Sequence, residues 1–501
     1  MNIKEVKEEI RRSVEIYLDK NEFGEYNIPY MKQRPIFMVG APGIGKTAIM
    51  EQIASELNLA LVSYSMTHHT RQSAIGLPYI EEKTYNGQKV MVSEYTMSEI
   101  IASVYDVIER SGVQEGILFL DEINCVSETL APSMLLFLQY KTFGNRKLPE
   151  GWVVVTAGNL PQYNKSVKEF DVATMDRLKC LTIEEDFGVW KAYAYQHGIH
   201  AAVISFLEVN PDWFYSIRTT VDGTQYVTAR GWEDLSRAVQ LYEKKQFCVD
   251  RNLIQQYVTD VEIARKFGIY YDLYKKYQTD YRVSDILSGT STGELIKRAG
   301  ESSFDERVSL LGMIYENLNL RFRKSVETER ILQTVVKFLR SVKKKSADGE
   351  EEVISLLEGC VNTLQEEQNR KAMANSLSSS QKREYQEAIH CLRDYQEICV
   401  TAPEKEKQFP MIKKKFDSQA KRHKKQVEAS KDALEHVFRF VEAAWGEEQE
   451  MLLFMTNLTA NAVSMEFIAN WGSKSYFQHN QELLIYDVHG ELQKQIEQLE
   501  W

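Results

Sequence analysis

The residues best suited to chemistry sit in a few short stretches. The first covers residues 36–49 and reads I-F-M-V-G-A-P-G-I-G-K-T-A-I. Four apolar residues run straight into Gly40, and Gly40-Ala41-Pro42-Gly43-Ile44-Gly45-Lys46-Thr47 meets the spacing G-x-x-x-x-G-K-[ST] in full. Gly40 and Gly45 bracket a loop whose backbone N–H groups must turn inward around phosphate oxygens, an approach that side chains would block. A helix opening at Lys46 would add its positive N-terminal end. Lys46 can then reach the β- and γ-phosphates, and Thr47 can ligate Mg²⁺. The second stretch is Ile117-Leu-Phe-Leu-Asp121-Glu122, an apolar run ending in two acids. At a strand end two successive side chains point differently. Asp121 can hold Mg²⁺ through water while Glu122 polarises an attacking water. The third is Trp152-Val-Val-Val-Thr156 followed by Ala157-Gly158-Asn159. A polar side chain at that strand tip either orients water and touches the γ-phosphate, or merely makes the turn.

These groups need strands to carry them and helices to cover the strands. Apolar runs without alternation, at 36–39, 59–64, 117–120, 152–156 and 179–183, fit buried parallel strands. Between the second and third, Leu77-Pro-Tyr-Ile-Glu-Glu-Lys-Thr84 and Lys89-Val-Met-Val-Ser-Glu-Tyr95 flank Asn86-Gly87. An Asn-Gly pair between alternating segments is a strong hairpin signal, because both turn positions need positive φ. A helix resumes with Met97, Ile100, Ile101, Val104, Val107 and Ile108 on one face, and another is expected over about 128–140. Asp171-Val-Ala-Thr-Met-Asp-Arg177-Leu precedes the last strand, and Thr228-Ala-Arg230-Gly-Trp opens a later helix.

Beyond residue 190 the pattern turns helical, with no proline between Pro211 and Pro403. Val353, Leu356, Leu357, Cys360, Val361 and Leu364 follow helical spacing, as do Leu434, Val437, Phe438, Val441 and Trp445. Breaks fall at Asp348-Gly349, at 375–380 and between Pro403 and Pro410. The expectation is an antiparallel bundle with one long helix near 411–460.

A chain of 501 residues predicts several domains, about two to four. Hydrophobic content of 43% and charged content of 27% describe a soluble globular protein, and no apolar run approaches a membrane span. Residues 1–20, charged throughout, read as a surface helix rather than a signal peptide. Six scattered cysteines without a C-x-x-C pair suit reduced thiols in the cytoplasm. A net charge of −11 argues against a protein built to coat nucleic acid.

The order of parts resembles the AAA+ ATPases. The hairpin at 78–95 looks like the helix-2 insert clade. "DEIN", "VVTAGN", "MDRL" and "TARGWEDLS" look most like the MoxR-type, dynein-related or midasin-like group. The resemblance covers about residues 30–245. It implies an α/β P-loop AAA+ core, a parallel five-stranded sheet between helices, at 31–187. A helical lid would follow at 188–278, after an N-terminal helix and connector at 1–30. Residues 279–501 would form a largely α-helical C-terminal domain outside the shared pattern. The resemblance further implies a hexameric ring with ATP between protomers. Lys46, Thr47, Asp121 and Glu122 match the Walker motifs, Asn159 matches sensor 1, Arg177 is similar to the arginine finger and Arg230 to sensor 2. The implied nucleotide-binding set is Gly40, Ala41, Pro42, Gly43, Ile44, Gly45, Lys46, Thr47, Ala48, Asp121 and Arg230, with Thr47 and Asp121 at the metal. Many relatives carry "LDRF" where this chain has Met175-Asp-Arg-Leu178; the arginine is kept.

By the same resemblance the partner is a protein, a von Willebrand factor A domain protein in particular, remodelled or activated with ATP and Mg²⁺. Two rival readings stand beside it. One is a nucleic-acid-dependent motor or loader, motivated by Lys413, Lys414, Lys415, Lys421, Arg422, Lys424 and Lys425; such a run is more often a solvated helix face. The other is a nucleotide-gated scaffold, which need not keep a water-activating acid. His68 and His69 lack a third metal ligand and read as structural or solvent-facing. Asn164-Lys-Ser-Val167 lacks the Asp of a guanine-reading N-K-x-D, which favours ATP over GTP.

Overall fold

The structure is a computed structural model that describes residues 1–143, 146–163, 166–220, 223–347, 352–401 and 405–480. Asn164 and Lys165, the break at Asp348-Gly349, Pro403, the side chain of His68 and the end of the 279–501 region lie outside the described residues. The chain divides into two compact units, one of residues 1–186 and 358–390, the other of 187–357 and 391–501.

The first unit begins with α1 (Ile3–Leu18), opened by a reciprocal cap in which Asn2 accepts from the Glu5 backbone and Glu5 from that of Asn2. Then follow β1 (Ile36–Gly40), α2 (Lys46–Leu57), β2 (Ala60–Ser65), α3 (Arg71–Ile75), β3 (Pro78–Tyr85), β4 (Gln88–Tyr95), α4 (Glu99–Ser111), β5 (Gly116–Asp121), α5 (Ala131–Tyr140), the short pair β6 (Thr142–Phe143) and β7 (Arg146–Lys147), β8 (Trp152–Gly158), α6 (Val172–Met175) and β9 (Lys179–Ile183). Five strands form one sheet in the order β2-β5-β8-β1-β9, every pairing parallel, so the parallel five-stranded sheet expected from the sequence is present. Ile117 to Leu120 in β5 and Trp152 to Val155 in β8 are buried, which is why these strands read as unbroken apolar runs. Parallel pairing brings the ends of β1, β5 and β8 to one side of the sheet, with Val39 opposite Gly158 and Ser65 of β2 opposite Asp121.

Both sheet edges are covered. Along β9, Lys179 Nζ reaches Glu9 Oε1 at 2.6 Å and Ser13 Oγ at 2.7 Å on α1, and Glu184 donates its amide to the Met1 carbonyl at 2.9 Å. The N-terminal helix thus packs on the core. Along β2 the cover comes from residues 358–390. The Leu61 amide donates to Ala374 O at 2.9 Å, Asn375 Nδ2 donates to Leu61 O at 3.1 Å, and Ser55 Oγ bonds Gln381 Oε1 at 3.1 Å. Asn375 takes φ 53°, a conformation asparagine tolerates. Ala374 is buried in the same core as β2, β5 and α4.

Strands β3 and β4 form a separate two-stranded hairpin turning at Asn86 (φ 49°) and Gly87 (φ 80°), from Pro78↔Tyr95 to Tyr85↔Gln88. It carries exposed apolar side chains, Ile80 at 71% and Met91 at 68% among them.

The second unit contains α7 (Phe187–His197), α8 (Ala201–Val209), the hairpin β10 (Ser216–Thr220) and β11 (Gly223–Val227), α9 (Ala229–Lys245), α10 (Arg251–Gln255), α11 (Val261–Asp280), α12 (Val283–Ser288), α13 (Gly293–Glu301) and α14 (Phe304–Ala347). Next in the chain, α15 (Val353–Met373) and α16 (Ser379–Thr401) each run through a boundary between the units; α17 (Lys405–Trp445), α18 (Gln449–Ala460) and α19 (Ala462–Trp471) complete the second. The region expected as a helical lid therefore includes a β-hairpin. It also shares one buried core with the C-terminal helices, from Trp190 and Phe206 to Phe438 and Tyr476, so packing draws no boundary at 278. Tyr195 stacks edge-on against Tyr315 at 4.3 Å, and Asn319 Nδ2 donates to Tyr195 O at 2.7 Å. The long helix expected near 411–460 instead spans Lys405–Trp445: Pro410 lies inside it, and Gly446 at φ 70° ends it before α18. Among the described residues no single helix is long and apolar enough to cross a membrane; α18 and α19 meet that test only as a pair bent by 88°.

Candidate functional site

The site is assembled at the ends of β1, β5 and β8 by three chain turns. The first, residues 40–47, is shaped by Gly43 (φ 75°) and Gly45 (φ 96°), the latter capping α2. Gly40 has another reason to be glycine. An added Cβ would sit 2.8 Å from Ile183 O and from the Ile44 side chain, so it is the approach of β9, not a positive φ, that excludes a side chain there. Lys46, 8% exposed, donates its Nζ to Gly40 O and Ala41 O, each at 2.9 Å, and to Asn159 Oδ1 at 3.1 Å. The ammonium thereby ties the loop to the tip of β8.

The second turn follows β5. Asp121 and Glu122 part here because Glu122 adopts φ 56°, ψ 35°, uncommon for a residue with a side chain. Asp121 Oδ2 accepts from Thr47 Oγ1 at 3.1 Å, and its Oδ1 accepts the Glu122 amide at 2.8 Å. Glu122 turns instead toward the end of β2, where its Oε2 accepts from Ser65 Oγ and Thr67 Oγ1, both at 2.9 Å. Burial first, then the charges of Glu122 and Asp121, push the neighbouring Cys125 thiol up.

The third turn is Asn159, half-buried beyond β8. Its backbone N–H donates to Asn124 Oδ1 at 3.2 Å, and its carbonyl accepts from Asn124 Nδ2 at 2.8 Å. Its side chain faces Lys46. The strand-tip residue is thus engaged at the P-loop lysine, beyond the making of a turn.

The structure brings together Lys46, Thr47, Asp121 and Asn159, with Glu122 adjacent. Arg177 lies on the turn before β9, exposed, with no ion pair among the described residues. Arg230 is exposed in the first turn of α9, in the other compact unit. Ala48 lies in the first turn of α2, partly exposed. His69 bonds Ser73 Oγ through Nδ1 at 3.1 Å and packs edge-on to Tyr64, a structural role. Sequence reasoning passed over Ser65 and Thr67, and gave no role to Asn124, the last residue of "DEIN". Ser65 stands opposite Asp121 in the sheet, a relation that needs the strand register.

A hydroxyl and a carboxylate oxygen, Thr47 Oγ1 and Asp121 Oδ2, make a hard-oxygen pair that fits Mg²⁺, which takes one or two protein oxygens and fills its shell with phosphate and water. No cluster of three or more His, Cys, Asp or Glu side chains competes for a metal among the described residues.

Residues 35–178 match the family model described as the AAA domain (dynein-related subfamily). No curated protein matches the chain. The matched span contains the P-loop, Asp121, Glu122, Asn159 and Arg177. Nucleotide binding and ATP hydrolysis are the general work of such domains: residues 35–178 form an AAA domain of the dynein-related subfamily, which implies general ATPase function for this part of the chain.

Proposed function

We propose that this chain is a MoxR-type ATPase working as a ring, hexameric by resemblance, in which hydrolysis between neighbouring copies remodels or activates a protein partner carrying a von Willebrand factor A domain. The observation that carries the reading is that Arg177 stands apart from the assembled P-loop groups. Lys46, Thr47, Asp121 and Asn159 are linked by hydrogen bonds within the chain, with Glu122 beside them, whereas Arg177 stands exposed and without an ion pair among the described residues. A planar cation so placed suits the γ-phosphate of a neighbouring copy. Six scattered cysteines without a C-x-x-C pair fit a cytoplasmic setting.

In this reading Lys46 neutralises the β- and γ-phosphates at the mouth of the loop. Thr47 and Asp121 would hold Mg²⁺, which when bound would supply charge neutralisation for the phosphates. Glu122 takes the proton of the attacking water on a carboxylate oxygen once Ser65 and Thr67 release it. Asn159 holds the water or the γ-phosphate through its amide, and Arg230 reads the phosphates from the lid.

Mixing two inactive variants tests the reading. Arg177→Ala should bind ATP and lose about 10³- to 10⁵-fold in turnover, as for other arginine fingers. Lys46→Ala should lose nucleotide binding. Rings containing both, confirmed by tagged co-purification, should regain part of the activity, because some interfaces pair an intact pocket with an intact finger. Mixed rings that stay inactive refute the placement of Arg177 between copies.

A second reading is favoured by one observation. Lys413, Lys414, Lys415, Lys421, Arg422, Lys424 and Lys425 are all exposed on α17 and make no ion pair among the described residues. A nucleic-acid-dependent motor would show ATPase stimulation by DNA or RNA that falls steeply with salt.

A further inference from the structure

We infer that Asn124 is a positioning residue for hydrolysis, a clamp that fixes the catalytic amide of Asn159; the inference rests on the ATPase reading of the site. Asn124 lies two residues beyond Glu122, in the single 3₁₀ turn Ile123–Cys125. It is 6% exposed and points across to β8. Its amide makes two bonds to one residue, accepting from the Asn159 N–H at 3.2 Å and donating to the Asn159 carbonyl at 2.8 Å. A primary amide lying against a peptide in this way satisfies both backbone groups of that residue at once, which a carboxylate or an alkyl group cannot do.

Two further contacts show that the clamp is built in. Gly158 leaves the space for it: a Cβ there would lie 2.6 Å from Asn124 Oδ1, 2.8 Å from its Cγ and 2.9 Å from its Nδ2. On the other side, the Asn124 carbonyl accepts the Lys168 amide at 2.8 Å, which seats the residue that carries the clamp. With its backbone held, Asn159 has its side chain left for the site, and its Oδ1 accepts from Lys46 Nζ at 3.1 Å. That bond leaves Nδ2, with its two hydrogens, as the group able to donate to water or to the γ-phosphate. Asn124 therefore acts through Asn159 and touches no reacting atom. It also joins two catalytic turns, since the turn that starts with Glu122 is the one that holds the turn bearing Asn159.

The geometry predicts a definite kinetic pattern. Misplacing a catalytic group by about 1 Å costs about 10²-fold in rate. Asn124→Ala should lower kcat by about that factor and leave KM for ATP and the binding of a fluorescent ATP analogue unchanged. Asn159→Ala should do the same, and the double variant should be no slower than Asn159→Ala alone. Gly158→Ala should push the clamp aside and reproduce the loss with Asn124 present. Asn124→Asp guards against misfolding of the alanine variant. It keeps an acceptor for the Asn159 N–H and turns an oxygen toward the Asn159 carbonyl, so kcat should fall in a chain of the same shape.

Wild-type kcat in Asn124→Ala and Asn124→Asp overturns the inference, as does a raised KM with normal kcat or a double variant whose losses multiply. Failure of the ATPase reading looks different: Glu122→Gln and Asn159→Ala would then leave turnover untouched. In that event amide hydrogen exchange decides the clamp alone. Faster exchange at the Asn159 N–H in Asn124→Ala supports it, and unchanged exchange refutes it.

Discussion

The two edges of the parallel sheet are closed by different means, and each edge carries a residue of the hydrolytic site. The β9 edge is covered by residues near it in space and early in the chain. Met1 pairs with it through the backbone, and Lys179 is held by Glu9 and Ser13 of α1. Arg177 stands just before this edge strand, exposed. The β2 edge is covered by Ala374 and Asn375, which take the outward N–H and C=O of Leu61. Ser65 ends this strand and, with Thr67, holds Glu122. The comparison teaches that, in the proposed mechanism, the candidate base and the candidate finger have separate anchors. The candidate base, Glu122, is tied to a strand fixed by the helical pair α15–α16, whereas Arg177 stands beside a strand fixed by α1.

The largest expected effect is at the β2 cover. Asn375→Ala removes the bond to Leu61 O and puts a Cβ-bearing residue with no polar side chain at φ 53°, a loss of about 2 kcal/mol in all. It should lower the first urea transition and speed exchange at the Leu61 amide. Asn375→Gly, which relieves the backbone cost and loses only the bond, should show about half that loss. If neither variant moves Leu61 exchange, residues 374–375 do not secure the strand. Next comes the tether of the base. Ser65 and Thr67 hold the Glu122 carboxylate at the end of β2, so freeing it with Ser65→Ala and Thr67→Val should raise basal kcat by about tenfold, the worth of roughly one such bond. ATP affinity should stay the same, and a rate unchanged or lowered would mean that the hydroxyls place Glu122 rather than restrain it. The smallest effect belongs to the β9 edge. The Lys179–Glu9 pair is about a third exposed on each side, so Glu9→Ala should cost under about 1 kcal/mol and leave turnover alone. A loss at Glu9 matching that at Asn375 would erase the distinction between the edges.

What could be read from the sequence follows from how local each feature is. The P-loop, Asp121–Glu122 and Asn159 are legible because their chemistry constrains neighbours in the chain, and the apolar strands that carry them are buried on both faces. Asn86-Gly87 declares its turn through backbone conformation alone. Ser65 and Asn124 are different: each is an ordinary polar residue until strand register sets it against Asp121 or Asn159. Helical spacing in the second half marks helices but not their partners, so the sharing of one core by Trp190, Tyr315 and Phe438 could not be read from it. A glycine at φ 70° cut the expected long helix short at 446, and nothing in the apolar stripe marks that stop.

The cover on β2 has a consequence for biosynthesis. Asn375 and Leu61 are separated by 314 positions in the chain, yet they meet in the finished sheet. A ribosome adding about 5–20 residues per second needs roughly 15–60 s to travel that far. Once β9 has emerged within this interval, the nascent sheet has all five of its strands available and one of its edges bare until residues 374–375 follow, and a bare strand edge is a template for pairing with other chains. The young chain is therefore most exposed to misassembly in the period between emergence of β9 and emergence of α15. A holding chaperone would have its work there, and truncations that stop short of residue 374 should aggregate through β2.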